Sequence, residues 1–207
     1  MKTLSSMKII IATFLMISYL PFAQIKVSDD YKKIPDILDT TDYLYPFIVP
    51  DKEYQYWRVL TNVSDPDKAV IYESQMPEFM TINEPMPEKG FFQQCIGEGC
   101  FSYILACKQD RSVYFTNEQQ LRSFIGFIDN LPEALLIAKT YGYSIDTKNK
   151  FTGSYKIEEK YVSLFGLKSK ACPATKESFL IKINRKTGRL EAKSNGVYYK
   201  SNDCNTQ

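Results

Sequence analysis

Cys95, Cys100, Cys107, Cys172 and Cys204 are the residues whose type and spacing point most directly to chemistry, and histidine, the usual companion of cysteine in metal and catalytic sites, is absent from the chain. Thiols can hold a metal, attack a substrate or pair with one another. The first three are separated by four and by six residues, which does not make the close Cys-x-x-Cys pairs of a zinc site, so no metal is expected. Lacking imidazole, the chain can run neither a His-dependent serine or cysteine hydrolase nor a His-containing zinc centre. Paired carboxylates, a serine with a lysine base, or tyrosine remain open. Glu73, Glu98, Asp129 and Glu133 are the acids from which a glycan hydrolase could draw two, although Asp129 and Glu133 fall at expected helix starts, where negative charge offsets the helix dipole. No glycine-rich phosphate loop or other catalytic motif is present, and no cofactor is expected.

Whether the thiols pair depends on the compartment, and the first residues address that. Lys2 and Lys8 precede the twelve-residue apolar run Ile9 to Leu20, which Pro21, Phe22 and Ala23 follow. This is the layout of a secretory signal peptide over residues 1–23. The run falls short of the about 20 residues that cross a bilayer, so no permanent membrane anchor is expected after cleavage. A secreted or periplasmic chain keeps its disulfides. Cys95 and Cys100 enclose two glycines and would staple a turn, Cys172 and Cys204 would tie down the C-terminus, and Cys107, in the apolar run from Phe101, is left as a buried unpaired thiol.

The formal net charge of +2 comes from the two lysines of the leader, and without residues 1–23 it is zero. A surface with no net charge gives no general pull towards phosphate backbones, so nucleic acid is not an expected partner. Residues 24–53 mix Asp, Lys, Pro and Tyr without a period and read as an extended N-terminal arm, with a short helical turn near Ile34 to Leu38. Residues 54–207 are long enough for a single globular domain.

Within that domain the pattern predicts α+β. Tyr54 to Val63 and Ala69 to Glu73 read as a hairpin, followed by strands at Phe91 to Cys95, Phe101 to Lys108 and Val113 to Thr116. Asn117 with Gln120, and Asn130 with Glu133, are spaced as helix N-caps and their reciprocal partners. Leu121, Phe124, Ile125 and Ile128 then give the first helix one apolar face, Leu131, Leu135 and Ala138 the second, and Gly142 ends the pair. Tyr155 to Leu167 alternates as one strand with its odd positions inward. Phe179 to Ile183, a turn closed by Gly188, Leu190 to Lys193, a turn at Asn195-Gly196, and Val197 to Tyr199 complete a C-terminal β-meander. The expected architecture is an antiparallel sheet of several strands with a central two-helix hairpin packed on one face.

The hairpin from Phe179 to Leu190, with Thr187-Gly188 at its turn, is similar to the last hairpin of exported PepSY-type domains. That resemblance implies a helix packed on a short antiparallel sheet and a binding or inhibitory role. The export signal, the stapled α+β design and the lack of histidine agree on an exported binding or inhibitor-like protein, its partner an unknown protein or glycan. A carboxylate-dependent glycan hydrolase and a structural component of the cell envelope are the alternatives. Tyr54 and Tyr56, on one face of their strand with Arg58, are the aromatic residues expected to meet a ligand if that face is open.

Overall fold

The computed structural model describes residues 25–65, 69–78, 85–93, 99–108, 111–202 and 204. The leader, Cys95, Glu98 and parts of the turns at Asp65-Pro66-Asp67-Lys68 and Gln109-Asp110-Arg111 lie outside the described residues. The fold is α+β. Among the described residues, strands β1 (Lys32–Lys33), β6 (Ser154–Ile157), β7 (Tyr161–Lys170), β8 (Thr175–Asn184) and β9 (Leu190–Lys200) form one sheet in the order β1-β6-β7-β8-β9. A second sheet has the order β3-β2-β4-β5, from β2 (Tyr56–Thr61), β3 (Val70–Glu73), β4 (Ser102–Lys108) and β5 (Arg111–Phe115). Every pairing is antiparallel.

Helices α1 (Glu118–Ile125) and α2 (Leu131–Thr140) belong to a core fed by both sheets. Trp57, Val59, Ile104 and Ala106 from the second sheet share one apolar cluster with Val162, Leu164, Ile181 and Ile183 from the first, and the helices supply the rest of it. This explains α2, in which all eight residues from Leu131 to Ala138 are buried. A helix apolar on every side needs cover on every side, so the single inward face expected of α2 is replaced by burial all round. α1 stops at Ile125, earlier than its periodicity suggests, because Gly126 takes φ 65° and turns the chain away. Ile128 lies beyond that turn and is still fully buried.

The expected caps are present. Asn117 Oδ1 accepts from Gln120 N at 2.9 Å, and Asn130 Oδ1 from Glu133 N at 3.0 Å. Glu133 completes its box by accepting from Asn130 N, while Gln120 reaches one residue further back and accepts from Thr116 N at 2.6 Å.

Three strand assignments differ from the sequence reading, the first at Phe91 to Cys95, where Phe91 makes an isolated bridge with Ser102 and residues 94–95 lie outside the described residues. Tyr155 to Leu167 is a hairpin of β6 and β7, in which Tyr155 faces Leu164 and Ile157 faces Val162. Paired residues in this register have opposite parity, so Tyr155 on β6 shares the core side with Val162 and Leu164 on β7, while Phe165 and Leu167 are buried on the other side and Ile157 is exposed. Asn195-Gly196 makes no turn; β9 runs through it. Ser178 pairs with Gly196 and Phe179 with Ser194, leaving Asn195 as the extra residue of a bulge, with Gly196 at φ 101°.

In the N-terminal stretch, read from the sequence as an extended arm, the acids Asp29, Asp30, Asp36, Asp39 and Asp42 are exposed. Yet Ile34, Leu38, Leu44, Tyr45 and Ile48 enter the shared core. Pro35, Pro46 and Pro50 break regular helix, and the chain advances instead by 3-10 turns at Asp36–Asp39, Thr41–Tyr43 and Tyr45–Phe47. No helix among the described residues is long and apolar enough to cross a membrane.

Candidate functional site

The cysteines fall into three environments. Cys172 and Cys204 are joined, with their Cα atoms 4.4 Å apart. Cys100 is also disulfide-bonded, and Cys95, the partner expected for it, is outside the described residues. Cys107 is a free, buried thiol whose Sγ lies 3.8 Å from Ser112 Oγ.

Neither tyrosine expected to meet a ligand presents an open ring. Tyr56 is fully buried and donates its hydroxyl to Glu73 Oε2 at 2.8 Å; burial, with the adjoining Glu73 charge, pushes its pKa up to about 12. Tyr54 is half-buried and stacks on Phe124 at 5.4 Å, with the edge of Phe115 beside it. The second sheet is covered on both sides, since Leu60, Tyr103 and Leu105 form a smaller apolar cluster behind the main one. Strand alternation alone cannot show that second cover.

The acids singled out are also engaged. Glu73 accepts from Tyr56, and Asp129 is exposed ahead of α2. Glu133 is fully buried and accepts three backbone N–H groups, from Val49 at 2.7 Å, Asp129 at 2.6 Å and Asn130 at 3.3 Å. Burial raises its pKa, and the three donors counter that rise.

The described surface does hold a groove, in a place the sequence did not mark. It runs along α1 and past the C-terminal end of α2 as two depressions of about 500 and 690 Å³, both lined by Gln119 and Arg122. Arg122, in the last turn of α1, lays its guanidinium 4.7 Å from the ring centre of Tyr141. Lys139, in the last turn of α2, places Nζ 5.1 Å from the centre of Phe92 and donates to Thr41 Oγ1 at 2.5 Å. Cations suit these positions because a helix C-terminus carries partial negative charge. Burial lowers the Lys139 pKa, with the nearby Asp42 charge opposing the shift.

Tyr143 sits against the edge of Phe179 at 5.3 Å, and Lys168 Nζ lies 4.2 Å from its ring centre. At the far end Phe127 is 43% exposed, with the Arg185 guanidinium 5.0 Å from its centre. Four aromatic rings along the groove therefore each carry a cation, an arrangement worth about 0.5–1 kcal/mol per pair at an exposed site. The ion pairs among the described residues are Lys33–Asp36, Lys156–Asp30 and Lys156–Glu158, so none of the groove cations is neutralised by one.

One backbone strain falls in the same place. Phe92 has φ 58°, a region that costs a bulky residue about 1–3 kcal/mol. Its N–H donates to Glu118 Oε1 at 2.9 Å, and its ring meets the edge of Phe91 at 5.2 Å. Among the described residues Glu118 is the sole carboxylate lining the smaller depression, and Asp51 the sole one lining the larger. Glu73, Asp129 and Glu133 line neither. Sequence reasoning overlooked Arg122, Lys139 and Tyr141 because each is an ordinary residue at a helix end; the available signal was a cation in the last turn of each of two successive helices.

No family model, curated protein or solved structure matches the chain.

Proposed function

We propose that the protein is an exported, disulfide-stapled binding protein and that its ligand site is the groove along α1 and past the end of α2. The observation that carries this is the concentration, in one groove, of partly exposed rings and of cations that make no ion pair among the described residues, on a chain whose portion after the leader has no net charge. Lys52, Arg122, Lys139 and Lys186 line the two depressions against Glu118 and Asp51, and such an excess of cations steers and orients an oppositely charged partner. Export is supported by the leader-like first 23 residues and by the Cys172–Cys204 bond, since such bonds persist in oxidising compartments. The rings offer contact area with little rotamer entropy to lose, and the strained Phe92 is held ready before a ligand arrives.

The test is retention of native material. The oxidised chain without residues 1–23 is immobilised and exposed to its own culture fluid and envelope extract, beside an Arg122→Ala, Tyr141→Ala double variant of unchanged melting temperature. A component held by the unaltered groove and lost from the variant supports the reading. Equal retention by both, or by neither, sinks it.

A further inference from the structure

Resting on the groove reading, and adding to it the chemistry of the occupant, we propose that the ligand is an acidic glycan: an extended run of pyranose rings bearing carboxylates. Three properties of the groove select this class. Arg122, Lys139, Lys168 and Lys186 lie in it or at its margin and make no ion pair among the described residues, so a ligand bringing carboxylates would complete charge-assisted hydrogen bonds that the protein leaves open. Tyr141 and Phe127 keep 37% and 43% of their surface exposed, which leaves ring area for the C–H faces of sugars. Between rings and cations the lining is amide and hydroxyl, from Gln93, Asn117, Gln119, Thr140 and Ser144, groups that pair with sugar hydroxyls, together with Glu118, whose Oε1 already accepts from Phe92 N–H.

The size is right for several residues. Each depression alone falls within the about 300–1,000 Å³ that houses a drug-sized ligand, and the shared Gln119 and Arg122 join the two. An acidic peptide fits less well. Peptides are read by addition to a sheet edge or by an amphipathic helix in an apolar groove, whereas no residue of a strand lines either depression and the lining is largely polar.

The experiment uses the oxidised chain without its leader, at neutral pH and low salt, titrated with hexamers of galacturonate, mannuronate and guluronate, with maltohexaose as the neutral control and hexaglutamate as the acidic peptide. Binding is followed by amide chemical shifts and by calorimetry. At least one uronate hexamer is expected to shift amides at residues 92–93, 117–122 and 139–144, to bind at least tenfold tighter than maltohexaose and hexaglutamate, and to weaken as salt is raised. The exposed-lysine variants Lys168→Gln and Lys186→Gln, which keep the core intact, are expected to weaken it threefold or more each. Hexaglutamate binding as tightly as every uronate would overturn the glycan assignment. So would silence from all three uronates; if the double variant still lost native material in the retention test, the groove would stand as a binding site for something else, and if it did not, both readings would fall together.

Discussion

Arg185 and Ile128 hold one another through both backbone and side chain: Ile128 N–H donates to the Arg185 carbonyl at 2.8 Å, and Arg185 Nε returns to the Ile128 carbonyl at 2.8 Å. The same guanidinium reaches the carbonyl of Asp129 at 3.3 Å and that of Glu159 at 3.4 Å. One side chain thus joins the α1–α2 connection, the β6–β7 turn and the end of β8. Arg185→Ala is expected to lower stability by about 2–3 kcal/mol, because hydrogen bonds from a charged donor are lost and carbonyls are left short of partners. Arg185→Lys keeps the charge but not the planar fork, and should recover less than half of that loss. Urea midpoints at constant m-value would check both.

Glu133 gives a prediction in pH. Its folded pKa is raised, so in the window above its unfolded value the native state holds more proton than the unfolded chain. The stability it contributes is therefore fully present below the unfolded pKa and declines as pH rises through the folded one. Glu133→Gln should cost about 1–3 kcal/mol at low pH, since both carboxyl oxygens accept backbone N–H groups and keep lone pairs when the group is protonated, whereas the amide NH2 would face a donor. That cost should shrink as pH climbs through the acid range. Denaturation of both proteins across that range would show the converging curves, and a gap widening with pH would refute the assignment.

Gly126 carries φ 65°, and a Cβ added there would come within 2.4 Å of Asp51 Cβ. Gly126→Ala should destabilise by about 2 kcal/mol or more, combining the left-handed backbone with a clash. Asp51 N–H also donates to the Phe124 carbonyl at 2.8 Å, so the displaced segment would disturb the larger depression as well. Thermal melts read the first effect and amide shifts at Arg122 and Lys186 the second.

The Cys172–Cys204 bond closes a segment with a sequence separation of 32. Cys204→Ser should cost about 4 kcal/mol by loop-closure entropy, and the loss should be matched by selective reduction of the wild type. Cys107, being buried, should resist alkylation in the native protein and react once urea unfolds it. Mass spectrometry after labelling reports both results.

The N-caps Asn117 and Asn130 could be read in the chain because a cap is settled by residues three positions apart, and the structure places each acceptor where that spacing requires. Gly188 was equally local, taking φ 65° to close the β8–β9 turn. The same local logic failed at Asn195-Gly196, where strand pairing on β8 outweighed turn preference and absorbed the dipeptide as a bulge. The core contribution of Ile34, Leu38, Leu44, Tyr45 and Ile48 was not visible either, since prolines had broken any period that would have marked them.

What the residues determined by themselves, then, was composition and short-range geometry: a chain without imidazole, with thiols suited to cross-linking and with two well-capped helices. Tertiary structure alone decided that the N-terminal segment and β8 pack on α2, that Tyr56 is buried on the second sheet, and that positions from Asp51 to Thr187 meet in one groove with an excess of cations. The physical reason is range. Caps and turns are fixed by bonds spanning three or four residues, whereas burial and the meeting of distant charges depend on which faces the folded chain brings together.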